Sequence, residues 1–236
     1  MLKAEPLVFS ALRPLLSGKK ARYQRSLMVQ KYCSGHGAEI GGLQQPVLVP
    51  RGARTSYIDR VSADYWRSLP GNAAADIVTP DIIDEGETLS TVADNSFDYL
   101  IAAHVLEHVE DAIAALKTWL RVVKPGGHLI IAVPDMRFCG EEHRSLTSIE
   151  HFIRDHEEGP HVSKKDHHRE FGIHLKGYSG ERLEAYVEKA EPMIHFHTFT
   201  LASFAAFLAA LEPVGFDLLE VSFNVNEDLA VLRKRN

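Results

Sequence analysis

A short acidic and glycine-containing segment near residue 40 has the residue types of a ligand-binding turn. Glu39 and Ile40 end an apolar stretch and are followed directly by Gly41 and Gly42. Glycine lets the backbone approach a ligand closely, and the N–H groups at the start of a following helix attract the polar groups of a ligand. A glycine pair after a strand also occurs in ordinary tight turns, so other residues must support a binding role.

Two further carboxylates follow at positions that suit a nucleotide-type ligand. Asp59 ends the next apolar stretch, about 20 residues after Glu39, where a carboxylate in α/β folds accepts hydrogen bonds from ribose hydroxyls. Asp84 ends a third stretch and can accept from an adenine amino group, with the amides of Glu85 and Gly86 beside the ring. Ligands in open α/β sheets bind outside the carboxyl ends of strands. The three acids are therefore predicted to face one crevice.

The second half of the chain is rich in histidine and contains His167, His168, His174, His195 and His197. On an extended segment, alternate residues point to the same side, so the rings of His195 and His197 would face together. Structural hydrogen bonding is the favoured interpretation. The second is a general base for an acceptor hydroxyl, because imidazole titrates near neutral pH. The third is a metal site that includes Asp166 or Glu170. No metal is predicted, because the ligand spacing typical of such sites is missing.

Short apolar runs that alternate with helical stretches indicate the sheet that would position these groups. From residue 36 to residue 134 this alternation is typical of a parallel sheet with crossover helices. The predicted strands are residues 38–40, 55–59, 81–84, 97–103, 128–133, 216–225 and 229–232. The last two are joined by a turn over residues 226–228, and we expect them to pair antiparallel.

Two helices are marked by capping residues and apolar stripes. Asp111 can cap a helix with a stripe of Ile113, Leu116, Leu120 and Val123. The Lys-Pro-Gly-Gly stretch at residues 124–127 ends this helix. Thr200 can cap a second helix with a stripe of Leu201, Phe204, Leu208 and Leu211.

These elements divide a single domain into a cap, a core and an insertion. Residues 1–35 are predicted as a helical cap, and residues 36–135 and 195–236 as a Rossmann-like core. Residues 136–194 are charged, rich in histidine and weakly periodic, and are interpreted as an insertion that forms a lid over an acceptor. The predicted fold class is α/β, with a doubly wound, mostly parallel sheet and an antiparallel C-terminal strand pair.

Composition argues against several functional classes. The 236 residues are 45% hydrophobic and 25% charged, as in ordinary globular proteins, and the formal net charge of -6 argues against general nucleic-acid binding. No apolar stretch has the length of a membrane span or the form of a secretion signal. The two cysteines, Cys33 and Cys139, show no disulfide pattern, so we expect a cytoplasmic location.

Basic residues are concentrated before residue 35. We interpret them as a solvated helix face, and contact with an anionic surface or a phosphorylated substrate is the alternative. They are Lys3, Arg13, Lys19, Lys20, Arg22, Arg25 and Lys31.

Several segments taken together resemble class I S-adenosylmethionine-dependent methyltransferases, in particular the bacterial type 11 methyltransferase-domain group. They are residues 39–42, Asp59, and residues 84–87, 95–108 and 120–127. The Leu-Glu-His-Val stretch that begins at Leu106 and the Lys-Pro-Gly-Gly stretch are the most specific. The resemblance covers about residues 36–135 and 195–236.

The resemblance implies S-adenosylmethionine as the cofactor and methyl transfer as the reaction. It places Glu39, Gly41 and Gly42 around the methionine portion, Asp59 at the ribose, and Asp84 with Glu85 at the adenine. His104 would lie near the sulfonium and the acceptor, and the candidate catalytic residues are His104, His195 and His197. By analogy with the family, the acceptor is a small or medium molecule, first of all a hydroxyl of a sugar or glycan intermediate. A homodimer is compatible with this reading.

The glycine turn departs from the family pattern, which has three spaced glycines. Leu43 and Gln45 stand where the second and third glycines would be. This departure supports one alternative, a catalytically silent binding or scaffold protein with the same fold. A nicotinamide-dependent oxidoreductase is less favoured, because residues 41–45 lack the GxGxxG fingerprint.

Overall fold

The computed structural model describes residues 23–71, 76–190 and 193–236. One seven-stranded sheet forms its centre. The strands are β1 His36–Ile40, β2 Arg54–Asp59, β3 Ile82–Ile83, β4 Phe97–Ala103, β5 Val123–Pro134, β6 Phe216–Asn224 and β7 Glu227–Lys234. All seven lie where the sequence predicts strands, although β3 is shorter and β5 begins earlier than expected.

The strand order is β3-β2-β1-β4-β5-β7-β6. β1 to β5 pair in parallel, whereas β7 is antiparallel to both β5 and β6. This is a Rossmann-like, mostly parallel sheet with an antiparallel C-terminal pair, and it confirms the predicted fold class. The order reverses between β1 and β4, which is the point where ligands bind in such sheets.

The C-terminal hairpin is tighter than predicted. Only Val225 and Asn226 form its turn, and Glu227 and Asp228 already pair with β6. The prediction of a turn over residues 226–228 was therefore wrong. A two-residue connection lets the ladder of an antiparallel pair continue to the end of both strands. As a result, Glu227 is the first residue of β7 and lies at the same edge of the sheet as the end of β4.

Seven helices occur among the described residues. They are α1 residues 23–32, α2 Ala63–Ser68, α3 Ala112–Val122, α4 Ile149–Glu158, α5 Lys164–His174, α6 Gly180–Lys189 and α7 Leu201–Leu211. Both predicted caps are confirmed: Oδ1 of Asp111 accepts from the amide of Ala114, and Thr200 forms a capping box with Ser203. α3 ends at Val122, and Val123 begins β5 instead of extending the apolar stripe of the helix.

The hydrophobic core lies on both faces of the sheet. On one face, Trp119 of α3, Phe152 of α4 and Phe207 of α7 are buried together with the apolar residues of β4 and β5. On the other face, Met28 and Val29 of α1 belong to a smaller cluster with residues from β4, β5 and β7. Burial of this apolar surface is the main favourable contribution to folding.

The connection between β1 and β2 has no helix, although the sequence was expected to start one after the glycine pair. Residues 41–53 form turns and irregular structure. Pro46 and Pro50 explain the difference, because proline lacks an N–H donor and disfavours a helical conformation in the residue before it. The loop that results places its backbone beside the end of β1.

The segment at residues 136–194 is more regular than its weak periodicity suggested. It contains α4, α5 and α6, of which α4 packs against α3 and α7, while α5 packs against α6. The predicted N-terminal cap is described only from residue 23, and residues 1–22 lie outside the described part of the chain. Within the described ranges, every helix is too short or too polar to cross a bilayer.

Candidate active site

A cavity of about 490 Å³ opens outside the ends of β1 and β4, where the strand order reverses. Its wall combines the end of β1, the loop at residues 41–45, Trp66 of α2, the end of β4 and the turn between β6 and β7. Arg25 of α1 lies on the same wall. The topology of the sheet therefore brings segments from both ends of the chain to one place.

Glu39, Gly41 and Gly42 line this cavity together, as the sequence predicts. Gly41 has a φ of 69°, in the left-handed region that glycine adopts readily. A Cβ atom on Gly42 would lie 3.0 Å from the ring of Tyr57, so a side chain there would crowd the turn. The carboxylate of Glu39 is buried and accepts from the amide of Val47 at 3.0 and 3.2 Å. This contact anchors the loop to β1.

Asp59 lies at the end of β2 and is buried. Its Oδ1 accepts from the indole Nε1 of Trp66 at 3.0 Å and from the amide of Val61 at 3.2 Å. Oδ2 accepts no hydrogen bond from a described residue. Asp59 does not line the cavity itself, but Trp66 does. The arrangement leaves one carboxylate oxygen for a ligand hydroxyl, and the ribose role of Asp59 stays a prediction.

Asp84 is occupied by its own loop. Its Oδ1 accepts from the amide of Glu85 at 2.8 Å and from Ser90 at 3.2 Å, and Oδ2 accepts from the amide and hydroxyl of Thr91 at 2.7 and 2.6 Å. Burial alone would raise the pKa of Asp84, but these hydrogen bonds outweigh it and lower the pKa. Neither Asp84 nor Glu85 lines the cavity. Their adenine-binding role stays a prediction.

His104 follows β4 with a φ of 57° and places its imidazole on the cavity wall, with 38% of the side chain exposed. Nε2 lies 2.7 Å from Oε2 of Glu227, and Nδ1 lies 3.4 Å from Oε1 of the fully buried Glu107. Burial opposes the charged imidazolium, but the two carboxylates outweigh it and raise the pKa of His104 to about 9. The imidazole is therefore protonated at neutral pH.

Arg25 and Glu227 form a buried ion pair on the same wall. Glu227 accepts from Nε and Nη2 of Arg25 and, at 2.6 Å, from Nδ2 of Asn224. The pKa of Glu227 is lowered, because His104 and Arg25 outweigh the effect of burial. The interpretation of Arg25 as part of a solvated helix face was wrong, since only 8% of the residue is exposed. Its exposed neighbour Lys31 instead pairs with Glu220.

The central part of the chain matches the model of a known family. Residues 42–131 match the model of a family described as a methyltransferase domain. Residues 42–131 therefore carry a methyltransferase domain. S-adenosylmethionine is the cofactor of this type of domain, and methyl transfer is its reaction. The match includes Asp59, Asp84 and His104 but neither Arg25 nor Glu227.

Solved structures similar to the methyltransferase agree with this fold. A chain of the complex between the Haloferax volcanii Trm112 methyltransferase activator and a methyltransferase has 14% identity and a TM-score of 0.53, with full coverage of both chains. A Rhodobacter sphaeroides protein named as a Zn-dependent alcohol dehydrogenase has 17% identity and a TM-score of 0.54, with 90% of each chain covered. At these identities the likeness concerns the fold alone.

A third similar structure is a SAM-dependent methyltransferase from Aquifex aeolicus. It has 12% identity and a TM-score of 0.49, with 98% of this chain and 100% of that chain covered. No curated protein matches the sequence.

The cavity of the methyltransferase fits a nucleoside-bearing cofactor. Gly41 and Gly42 line it, and Trp66 on its wall donates to Oδ1 of Asp59, which lies behind the wall with Oδ2 unbonded to described residues. The sequence missed four residues of the site, which are Arg25, Trp66, Glu107 and Glu227. Glu107 lies within the Leu-Glu-His-Val stretch, which was the one available signal for it.

His195 of the methyltransferase lies outside this cavity. Its Nδ1 lies 2.9 Å from Oε2 of Glu141, and its ring packs edge-on against His108 with 4.6 Å between centroids. His108 bonds to the carbonyl of Ile194 at 2.9 Å, and burial lowers its pKa. These contacts give His108 a structural role beside His195.

His197 of the methyltransferase contacts different partners from His195. It is buried, its Nε2 lies 3.3 Å from the carbonyl oxygen of Glu110, and its Nδ1 has no partner among the described residues. The ring packs against Phe152 and lies near His151 and His167. Burial and the neighbouring His167 hold the pKa of His197 well below its usual range. The structure thus brings His104 to the cavity but leaves His195 and His197 outside its wall.

Proposed function

We propose that the methyltransferase transfers its methyl group to a hydroxyl of a small or medium acceptor, with a sugar or glycan intermediate as the first candidate. The observation that carries the proposal is the position of His104 on the cavity wall between Glu107 and Glu227. An imidazole paired with carboxylates is a strong base, and a base is needed when the acceptor loses a proton as it reacts.

The other polar groups of the cavity suit a ligand with several hydroxyls. Gln44, Gln45 and Asn226 contribute amide groups to the wall, and Arg25 contributes a guanidinium. Amides can both donate and accept hydrogen bonds, as a sugar hydroxyl does. A hydrophobic acceptor would cover the amides of Gln45 and Asn226 without offering them hydrogen bonds, at a cost in binding free energy.

The main catalytic tasks of the chain are positioning and proton removal. When bound, S-adenosylmethionine supplies a methyl group on an activated sulfonium. The cofactor would leave as the neutral thioether once its sulfur–methyl bond breaks. The acceptor hydroxyl must then lose its proton, and we assign that proton to Nδ1 of His104. Nε2 is held by Glu227 at 2.7 Å, whereas Nδ1 has only the longer contact of 3.4 Å with Oε1 of Glu107. Glu107 and Glu227 stabilise the imidazolium that forms, as a carboxylate does in a catalytic triad.

This assignment determines how the rate depends on pH. His104 accepts a proton only in its neutral form, and its pKa is raised to about 9. The fraction of neutral imidazole therefore increases about fiftyfold between pH 7 and pH 9, from about 1% to about one half. A hydroxyl acceptor should react faster as pH rises through this interval.

For the cofactor, we assign Glu39, Gly41 and Gly42 to the methionine portion and Asp59 to the ribose. The first three are supported by their place on the cavity wall. Asp59 is supported by its free Oδ2 and by its contact with Trp66, which lines that wall. Asp84 and Glu85 remain candidates for the adenine. Because Asp84 is bonded to its own loop, it can bind adenine only by exchanging one of those hydrogen bonds.

We assign residues 136–194 to an acceptor lid. Their support is the junction of this segment with the site, where the amide of Phe196 donates to the carbonyl of Glu107 at 2.7 Å. His195 follows the segment directly, bonds to Glu141 within it and remains a second candidate base. His197 is too deeply buried to reach an acceptor, with 1% exposed.

Two measurements test the function in turn. Calorimetry with S-adenosylhomocysteine tests the cofactor site, and no binding at millimolar ligand would refute it. Transfer of a labelled methyl group to neutral sugars, to nucleotide-linked sugars and to primary amines then tests the acceptor class. We expect label on a hydroxyl-bearing acceptor, with a rate that rises between pH 7 and pH 9. Label on amines alone would overturn the hydroxyl assignment.

A further inference from the structure

Three histidines and one aspartate from separate parts of the chain meet beside α4. We name them the histidine cluster, which consists of His151, Asp155, His167 and His197. One ligand atom from each of the four lies within 4.8 Å of all the others. His151 and Asp155 are one turn apart on α4, His167 belongs to α5, and His197 precedes α7. The cluster lies outside the cavity described above and has no part in the proposed methyl transfer.

The distances within the cluster are those of atoms around one metal ion. Nε2 of His151 lies 3.0 Å from Nε2 of His167 and 3.1 Å from Oδ2 of Asp155, and the third edge, from His167 to Asp155, is 3.6 Å. With metal–nitrogen bonds of roughly 2.0–2.1 Å, two ligand atoms of a tetrahedral site are roughly 3.3–3.4 Å apart. The three measured edges bracket this value.

In His197 and Asp155, the atom that points away from the cluster makes a hydrogen bond, and this bond orients the atom that faces the cluster. Nε2 of His197 lies 3.3 Å from the carbonyl oxygen of Glu110 and donates to it, which leaves the lone pair on Nδ1. Ser163 donates to Oδ1 of Asp155 at 2.6 Å, which leaves Oδ2 directed at the histidines. Histidine and carboxylate ligands of metals are commonly oriented by hydrogen bonds of this kind, made by the atoms that do not face the metal.

Two ligand atoms that face the centre of the histidine cluster, one on His197 and one on Asp155, lack a well-oriented hydrogen bond. Nδ1 of His197 and Oδ2 of Asp155 are both buried and make no well-oriented hydrogen bond to a described residue, although Oδ2 lies 3.1 Å from Nε2 of His151. A buried carboxylate oxygen and a buried imidazole nitrogen are costly to leave unpaired. One cation at the centre of the cluster would satisfy both, as well as the two facing nitrogens of His151 and His167.

We propose that the histidine cluster binds one divalent transition-metal ion of the Zn²⁺ class. Three nitrogen ligands and one carboxylate oxygen suit Zn²⁺, Co²⁺ or Ni²⁺, whereas Mg²⁺ and Ca²⁺ prefer oxygen ligands alone. Four protein ligands fill a tetrahedral site, as in structural zinc centres. The ion cross-links α4, α5 and the segment before α7. A second cavity of about 280 Å³ is lined by His151 and His167 and provides the route of entry.

The residues considered for a metal from sequence alone were a different set. Glu170 instead accepts from Nε of Arg144 at 3.1 Å and from the amide of Ser145 at 2.7 Å. Asp166 lines the second cavity but is not part of the cluster. Nothing in the sequence indicated that Asp155 is part of a site, because its partners His167 of α5 and His197 before α7 are distant along the chain.

The test uses the purified full chain and the metal ion alone. After chelation and dialysis, we expect one equivalent of Zn²⁺ or Co²⁺ to bind, with Co²⁺ giving the intense visible bands of a tetrahedral site. We also expect the bound ion to raise the melting temperature, because it binds only the folded state. Absence of stoichiometric binding, or binding that produces only octahedral Co²⁺ spectra, would overturn the proposal.

Variants locate the ion. His151→Gln changes the most exposed member of the cluster, so its folding risk is smallest, and it should weaken binding by more than about tenfold. Asp155→Asn should also weaken binding. His174→Gln, an exposed histidine on the same helix as His167, is the matched control and should bind like the wild type. Unchanged affinity in a folded His151→Gln variant would rule the cluster out, even if Asp155→Asn failed to fold.

Discussion

Nε2 of His104 lies 2.7 Å from Oε2 of Glu227, a contact that joins the end of β4 to the first residue of β7. Because this carboxylate helps raise the pKa of His104 to about 9, Glu227→Gln should lower that pKa by more than about one unit. NMR titration of the His104 ring measures it. Glu181→Gln, an exposed change on α6, is the control. A His104 pKa that stays near 9 in Glu227→Gln would contradict the paired arrangement.

The free oxygen of Asp59 makes a specific prediction about cofactor affinity. Asp59→Asn keeps the size of the side chain but removes the negative charge that, in the proposed assignment, accepts hydrogen bonds from the ribose. We expect at least a tenfold loss of affinity for S-adenosylhomocysteine by calorimetry, equivalent to about 1.4 kcal/mol. Trp66→Phe removes only the indole donor to Oδ1 and should have the smaller effect. Equal affinity of Asp59→Asn and the wild type would refute the ribose assignment.

Asp84 should matter mainly for stability. Asp84→Asn replaces an acceptor of four hydrogen bonds with an amide that can accept at one oxygen only. We expect a loss of about 1–3 kcal/mol in the free energy of unfolding, measured with urea. Its effect on cofactor affinity should be smaller than that of Asp59→Asn. The reverse order of the two affinities would mean that Asp84 contacts the ligand directly.

Gly37 of β1 should tolerate no side chain. A Cβ atom there would lie 2.3 Å from the ring of Tyr99, which is fully buried on β4. Gly37→Ala should therefore lower the free energy of unfolding by about 1–3 kcal/mol or prevent folding. Gly52→Ala is the comparison, because a Cβ at Gly52 meets no atom of a described residue within 4 Å and the strain there comes from its φ of 92°. Equal losses in both variants would contradict the steric cause.

Asp228 should make the protein less stable as pH rises. Its carboxylate is fully buried and has no hydrogen-bond partner among the described residues, and burial together with Asp135 raises its pKa from 3.8 to about 7. The folded state therefore holds a proton that the unfolded chain has released. The stabilising effect is complete below about pH 3.8 and is lost as pH rises through about 7.

Asp228→Asn removes this titration. Relative to the wild type, the variant should gain free energy of unfolding between pH 5 and pH 8, as measured by urea denaturation at both values. Asp76→Asn, an exposed change, should show no such gain. A stability difference that is the same at both pH values would show that Asp228 does not titrate in this range.

The sheet was largely predictable because its signals are local. The apolar run of β4 and the caps at Asp111 and Thr200 lie within a few residues of the elements they define, and all three predictions were confirmed. The errors arose where local patterns compete. The glycine pair suggested a helix after β1, but the prolines at 46 and 50 prevented it. The polar residues 226–228 suggested a turn, but Glu227 and Asp228 belong to β7 and pair with β6.

The sequence by itself determined the order of strands and helices, the methyltransferase resemblance, and the presence of Glu39, Gly41, Gly42 and His104 at the end of two strands. These features depend on residue type and on short spacings along the chain. Only the tertiary structure decided that Arg25 pairs with Glu227 across 202 residues, and that histidines from three segments surround Asp155. Such contacts arise when strand order and helix packing bring distant segments together, and no local pattern in the sequence encodes that distance.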